Sequence, residues 1–193
     1  MGFFQPGFLF LLIDMPFKLI KSEPLFKGRA FGIRRDYVTT PDGRETKFDI
    51  VEHGGSVIIL PVDENRNLIL VRQYRHAAGK ELLELPAGTR DGDEPFEHCA
   101  AREIREETGF AAGKLERVGH FYLAPGYSTE FMVVYLATDL VHDPLQADED
   151  EFLQIEKIPV RRLYELIDQG ELPDAKSLAA LLLARKFLEN QIL

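Results

Sequence analysis

The 193-residue sequence contains one cysteine, Cys99, and no tryptophan. A lone cysteine excludes an internal disulfide and a multi-thiolate metal site, and it is typical of a reducing compartment such as the cytoplasm. No apolar run reaches the roughly 20 residues that a membrane helix needs. Basic residues are the minority, with 23 Lys and Arg against 32 Asp and Glu, giving a net charge of −9. This balance argues against nucleic acid or an anionic membrane as the main partner.

The first fifteen residues are apolar but lack the features of a secretory signal. No Lys or Arg precedes the run from Phe8 to Ile13, Pro6 and Gly7 break the apolar stretch, and no small-residue cleavage site follows. We interpret residues 1–15 as an extension that packs on the body or on a partner subunit, or that lies upstream of a start at Met15. We expect an N-terminal strand region over residues 16–54 and a main domain over residues 55–193.

Hydrophobic periodicity predicts an α+β protein. Alternating or short apolar runs bounded by turn residues predict strands over 29–40, 47–52, 57–62, 68–74, 117–123 and 131–137. Helical periodicity with proline or aspartate at the start and glycine at the stop predicts helices over 95–108, 161–168 and from 174 onward. Strands, one central helix, more strands and closing helices together indicate a mixed sandwich.

The central predicted helix places acidic side chains where a core face should lie. At 100° per residue, Phe96, Glu103 and Glu107 fall within about 60° of one another. Buried carboxylates are costly unless they are paired or bound to a metal, and oxygen-only sites favour Mg²⁺ or Mn²⁺. The alternative is a solvated acidic face with ion pairs four residues apart, such as Arg102–Glu106. The helix pattern alone leaves both interpretations open.

The whole segment from Gly88 to Phe110 resembles a known motif. Its sequence, GTRDGDEPFEHCAAREIREETGF, matches every fixed position of the Nudix box, GX5EX7REUXEEXGU, where U is a bulky apolar residue. The resemblance to Nudix hydrolases implies an α/β/α sandwich with a mixed β-sheet. It also implies metal-dependent cleavage of a nucleoside diphosphate linked to another group.

Flanking segments resemble the ADP-ribose pyrophosphatase branch of that family. Pro125 lies sixteen residues after Gly109, and the other similar segments are Arg72–His76, Pro86–Gly88, Ala124–Glu130 and Ala147–Glu151. The branch implies hydrolysis of ADP-ribose to AMP and ribose 5-phosphate by a homodimer whose N-terminal strands cross between subunits. The alternatives are hydrolysis of another nucleotide sugar, such as GDP-mannose or ADP-glucose, and a catalytically inactive nucleotide-sugar sensor.

The same resemblance implies roles for individual residues. Two or three Mg²⁺ ions, or alternatively Mn²⁺ or Zn²⁺, would be bound by Glu103, Glu107, Glu151, Glu94 and the main-chain carbonyl of Ala87. Catalytic roles fall to Glu149 as general base, to Glu106 and to Arg102, and substrate contacts to Arg75, Arg34, Tyr127 and Glu130.

Three alternatives to these roles stay open from the sequence. Arg75 could instead pair with Glu84, the acidic run 148–151 could be a solvated loop, and the roles of Glu149 and Glu151 could be exchanged.

Overall fold

The computed structural model describes residues 17–146 and 152–192, and the chain divides into two compact units between Glu52 and His53. The first unit contains three strands: β1 (Lys18–Lys27), β2 (Gly32–Thr39) and β3 (Glu45–Glu52). The second unit contains the strands β4 (Ser56–Pro61), β5 (Asn67–Arg75), β6 (Lys80–Glu84), β7 (Ala87–Thr89), β8 (Phe110–Tyr122), β9 (Phe131–His142) and β10 (Leu153–Pro159), and the helices α1 (Phe96–Thr108), α2 (Val160–Asp168) and α3 (Ala175–Ile192).

The first unit is an antiparallel meander in the order β1-β2-β3. The predicted Pro41-Asp42-Gly43 turn joins β2 to β3, and Gly43 adopts the positive φ of 84° that glycine tolerates best. Strand β1 lies in the expected strand region 16–54, but no individual strand was predicted over its residues. All ten of its residues are exposed, so the strand lacks the in–out alternation by which a half-buried strand is recognised.

The second unit packs helices against two sheets. One sheet is mixed, in the order β7-β4-β9-β8 with β4 and β9 parallel, and the other is antiparallel, in the order β10-β5-β6. Side chains of β4 alternate between two cores: Val57 and Ile59 join the cluster on α1, whereas Ile58 and Leu60 join the cluster that includes α2 and α3. This is the predicted α/β/α sandwich with a mixed sheet.

All three predicted helices are present. Each predicted start and end lies within one residue of the observed one, and the end of α3 was not predicted. No strand was predicted over β6, β7 or β10, and the predicted start of β8 lies seven residues too late. Strand β7 has only three residues, and β8 contains Gly113 and Gly119, which interrupt a strand pattern. Among the described residues, no helix is long and apolar enough to cross a membrane.

Candidate active site

Helix α1 carries the acidic residues of the site, and its ends are set by local sequence. The helix begins after Pro95 and ends at Gly109, whose left-handed φ of 77° lets its N–H reach the carbonyl of Arg105. Cys99, Ala100 and Ile104 of α1 lie fully in the core, and burial, chiefly, raises the pKa of the Cys99 thiol to about 12. The thiol is therefore a packed, unreactive group at neutral pH.

The structure buries the two carboxylates that the helix pattern placed on the core-facing side. Glu103 is 8% exposed and Glu107 is 7% exposed. The N–H of Ala87 donates to Glu107 Oε2 at 3.1 Å. The carboxyl group of Glu103 lies so near Gly88 that a Cβ at that position would come within 1.8 Å of Glu103 Cδ. Strand β7 thus receives both carboxylates, and glycine at position 88 gives one of them its room.

Arg102 gathers the remaining acids of the motif around one guanidinium. Its Nη1 donates to Glu103 Oε1 at 2.7 Å and to Glu106 Oε2 at 2.8 Å, and its Nη2 donates to Glu94 Oε2 at 3.0 Å. The hydrogen bond from Arg102, more than any other contact, lowers the pKa of Glu94, and the bond to Glu94 is the largest cause that raises the pKa of Arg102. The Arg102–Glu106 pair of the solvated-face alternative therefore exists, but inside a cluster that also contains buried acids.

The donor chemistry of this cluster fits a hard divalent cation. Glu94, Glu103 and Glu106 bind the positive charge of Arg102, and Glu103 and Glu107 are buried where α1 faces strand β7. Oxygen ligands of this kind are those that Mg²⁺ and Mn²⁺ prefer. Within residues 17–146 and 152–192, no three Asp, Glu, His or Cys side chains already converge in a metal-binding arrangement.

Arg75, the predicted phosphate ligand, forms a bidentate pair with Glu84. Its Nε donates to Glu84 Oε1 at 2.9 Å and its Nη2 donates to Glu84 Oε2 at 2.6 Å. Lys176 of α3 binds the same Oε2 atom. Glu84 is 1% exposed; burial acts to raise its pKa, but the hydrogen bonds and charges of Arg75 and Lys176 outweigh burial and lower the pKa.

The other predicted substrate residues lie in two separate places. Arg34 belongs to the first unit, where it pairs with Asp36 and Glu52. Tyr127 and Glu130 belong to the loop between β8 and β9 in the second unit. Tyr127 is 60% exposed, and Glu130 Oε1 accepts a hydrogen bond of 3.4 Å from Ser56 Oγ at the start of β4.

Some predicted residues fall outside the described part of the chain, and other contributors were missed. Glu149, Glu151 and residues 1–15 lie outside the described residues. The aspartate predicted at the start of the last helix is Asp174, and no role was predicted for Lys176 or Ser177. Asp174 Oδ2 accepts a hydrogen bond from Ser177 N–H, as an N-cap does, but this local pattern carries no signal of the contacts with Glu84 and Leu85.

Comparisons with known proteins agree with this geometry. A family model described as the NUDIX domain matches residues 52–181. The chain is 34% identical over 166 residues to the ADP-ribose pyrophosphatase of Bacillus subtilis (strain 168), covering 85% of this chain and 90% of that protein. It is 38% identical over 174 residues to the ADP-ribose pyrophosphatase of Mycobacterium tuberculosis, covering 89% and 84% of the two chains.

A solved structure shares the architecture as well. The crystal structure of an ADP compounds hydrolase matches with a TM-score of 0.80 at 26% sequence identity, covering 91% of this chain and 95% of that one. The sequence motif, the family model and the structural similarity lead to one conclusion: the chain belongs to the Nudix hydrolase family.

Proposed function

We propose that this Nudix hydrolase cleaves the pyrophosphate bond of ADP-ribose to give AMP and ribose 5-phosphate. The observation that carries the proposal is the pair of buried carboxylates, Glu103 and Glu107, seated against strand β7. The two relatives named ADP-ribose pyrophosphatase support the choice of substrate, because their similarity extends over most of this chain.

The acidic cluster would hold the metal on which the hydrolysis depends. Glu103, Glu107 and the carbonyl of Ala87 would bind Mg²⁺, or alternatively Mn²⁺ or Zn²⁺, with Glu94 and Glu151 completing a site for two or three ions. A bound divalent ion offsets phosphate charge and lowers the pKa of a coordinated water. Nudix hydrolases need divalent metal ions. For this protein we propose both which ion binds and how many ions bind.

The chain's own side chains would orient these groups and move the proton. Arg102 holds Glu94, Glu103 and Glu106 in place by charge-assisted hydrogen bonds, which fixes the direction of their oxygens before substrate arrives. Glu149 is proposed as the general base that takes a proton from the attacking water.

Substrate recognition would come from Arg75, from the loop between β8 and β9, and from Arg34. Glu107 contributes to the raised pKa of Arg75, so the guanidinium lies within electrostatic range of α1. Arg75 is proposed to bind a phosphate, since a guanidinium matches phosphate geometry. Tyr127 and Glu130 of the exposed loop are proposed to contact the rest of the nucleotide sugar, and Arg34 of the first unit is proposed to reach the active site of a partner subunit.

A turnover assay over several nucleotide sugars tests the proposal. Purified enzyme with Mg²⁺ is given ADP-ribose, GDP-mannose, ADP-glucose, NADH and diadenosine polyphosphates, and kcat/KM is measured for each. ADP-ribose should give the highest value. A hexose nucleotide that exceeds ADP-ribose by more than about tenfold, or about 1.4 kcal/mol of transition-state preference, would reassign the substrate. Absence of turnover with all of them would favour a nucleotide-sugar sensor.

A homodimeric, cytoplasmic enzyme is also part of the proposal. Four apolar side chains of β1 are about half exposed or more, namely Leu19, Ile20, Leu25 and Phe26. We propose that a second copy of the chain covers these side chains, since exposed apolar surface is typical of an interface. The single cysteine supports a reducing compartment. Size-exclusion chromatography with light scattering should give a mass twice that of the 22.0 kDa chain.

A further inference from the structure

The first turn of α3 contacts strand β6 and the residue after it through a buried polar network. Lys176 Nζ binds Glu84 Oε2 and donates to Asp174 Oδ2 at 3.0 Å. Ser177 Oγ donates to the same Asp174 oxygen at 2.6 Å and accepts a hydrogen bond from Leu85 N–H at 2.8 Å. A helix near the end of the sequence therefore holds a segment that lies more than ninety positions earlier in the chain.

The charges of this network alternate in sign and end at Arg75. Their order is Asp174, Lys176, Glu84 and Arg75, and the side-chain exposure of the first three is 13%, 13% and 1%. Arg75 is different, because 41% of its side chain is exposed. The network thus begins inside the protein and presents its last, positive group at the surface.

The way Glu84 binds Arg75 leaves one end of the guanidinium usable. Glu84 engages Nε and Nη2 of Arg75. A guanidinium carries five N–H groups in a fixed plane, so the Nη1 end projects away from the carboxylate. Among the described residues, no carboxylate accepts a hydrogen bond from Arg75 Nη1. Pairing with Glu84 and binding of a phosphate are therefore compatible roles for Arg75.

Lys176 changes what Arg75 presents to an anion. Lys176 binds Glu84 from the buried side and is itself paired with Asp174, so the four charges of the network sum to zero. The effect of Lys176 on Arg75 is therefore one of position rather than of net charge. Lys176 also fixes Glu84 Oε2 in position, which sets the plane of the bidentate bond and hence the direction of Nη1.

We propose that Lys176 is a positioning residue for substrate binding, acting through Glu84 on Arg75. The inference rests on the proposed function, in which Arg75 binds a phosphate of the nucleotide sugar. Lys176 lies on α3, outside the Nudix box, and its side chain binds Glu84 and Asp174. A role in substrate binding through Arg75 predicts effects that a merely structural ion pair would not produce.

The test is a double-mutant cycle between Lys176→Met and Arg75→Ala, assayed at 25 °C with saturating Mg²⁺. We expect Arg75→Ala to raise KM for ADP-ribose by about tenfold or more, as the loss of a charged hydrogen bond does. Lys176→Met should raise KM by about fivefold with kcat within about twofold, and in the Arg75→Ala background it should add less than about twofold. Lys176→Arg, which keeps the charge, should restore most of the wild-type KM.

Binding of an uncleavable probe separates positioning from a general loss of structure. The dissociation constant of a methylene-bridged ADP-ribose analogue, measured by calorimetry with Mg²⁺, should rise with KM in Lys176→Met. Arg185→Met is the matched control, because Arg185 lies on the same helix and forms an exposed pair with Glu189; its KM should equal that of the wild type. If Lys176→Met does not stay folded, Lys176→Gln supplies the same readings.

Three results would overturn the inference. The first is a dissociation constant of the analogue that Lys176→Met leaves unchanged. The second is a double variant in which the effects of Lys176→Met and Arg75→Ala on KM multiply. The third is a Lys176→Arg variant whose KM is as high as that of Lys176→Met. Failure of the proposed function is a different result, namely wild-type enzyme that does not hydrolyse ADP-ribose. If another nucleotide sugar is hydrolysed instead, the double-mutant cycle tests the role of Lys176 with that substrate, since every nucleotide sugar considered contains a diphosphate.

Discussion

Two buried acidic groups of this protein differ in how their charge is balanced. Glu84 is bound by two cations, Arg75 and Lys176, and the second of these is itself paired with Asp174. Around α1, by contrast, Glu94, Glu103 and Glu106 all bind the guanidinium of Arg102. Because buried negative charge is costly, we propose that the α1 cluster receives a cation, whereas the charges of Glu84, Arg75, Lys176 and Asp174 sum to zero.

The comparison predicts opposite consequences when a glutamate is replaced by glutamine in the α1 cluster and in the Glu84 network. In the α1 cluster, removing a charge should relieve repulsion and cost activity. In the Glu84 network, removing the carboxylate charge should leave Arg75 without its partner and Lys176 with Asp174 alone, and so cost stability. Turnover and stability of a variant in each region therefore distinguish the α1 cluster from the Glu84 network.

The largest expected effect is on turnover in Glu107→Gln. The amide keeps the shape of the side chain but removes a charged ligand, so kcat should fall by more than about 10². The melting temperature without metal should stay the same or rise, because repulsion among the glutamates decreases. Steady-state kinetics and a thermal melt check both parts. Near wild-type turnover at saturating Mg²⁺ would remove Glu107 from the proposed metal ligands.

Glu84→Gln should show the reverse balance, with stability as the main loss. Removal of one member of a buried ion pair leaves its partners uncompensated, and because Arg75 can turn toward water we expect a loss of about 2–3 kcal/mol in the free energy of unfolding. Urea denaturation at neutral pH measures it. A Glu84→Gln protein as stable as the wild type would mean that the two regions do not differ in charge balance as proposed.

Gly88→Ala tests the contact between β7 and the metal-site carboxylate. A Cβ at position 88 would overlap the carboxyl group of Glu103, so that group must move away from β7. We expect kcat to fall by about tenfold, or about 1.4 kcal/mol, with a smaller change in stability. Gly54→Ala is the control, since its nearest neighbour would be a backbone oxygen at an ordinary 3.9 Å. Equal activity of the two alanine variants would contradict the role given to Gly88.

The smallest expected effect is a pH dependence of stability that belongs to Glu84. Its pKa in the folded protein is lowered from an ordinary value of 4.5, so the folded state favours the charged form. Its contribution to stability is therefore fully present above pH 4.5 and is lost as the pH falls through the lower, folded-state pKa. Unfolding free energies measured across this acid range should fall more steeply in the wild type than in Glu84→Gln. Parallel curves would remove Glu84 as a source of acid sensitivity.

A second comparison concerns two residues of the acidic run 148–151, for which the family resemblance predicts different roles. If Glu149 is the general base, Glu149→Gln should be slow by about 10² or more at every Mg²⁺ concentration. If Glu151 is a metal ligand, Glu151→Gln should be slow chiefly at low Mg²⁺. Titration of kcat against Mg²⁺ distinguishes them. The reverse pattern would exchange the two roles, and full activity in both variants would make the run a solvated loop.

The sequence by itself determined the local features of this protein. The start of α1 after Pro95, its end at Gly109 and the inward direction of Glu103 and Glu107 all follow from helix periodicity and from the conformations of proline and glycine. The motif from Gly88 to Phe110 likewise identified the family, because its residues are close together in the chain. Such features depend on neighbours within a few turns and need no knowledge of the remaining fold.

Only the tertiary structure decided which distant groups meet. That Lys176 completes the charge balance of Glu84, and that Ser177 holds the backbone of Leu85, required the packing of α3 against β6 over a separation of 92 residues. That Gly88 makes room for Glu103 required β7 to lie against α1. Periodicity assigns a side chain to the interior, but the choice of its partner there depends on sheet order and helix packing, which no local pattern encodes.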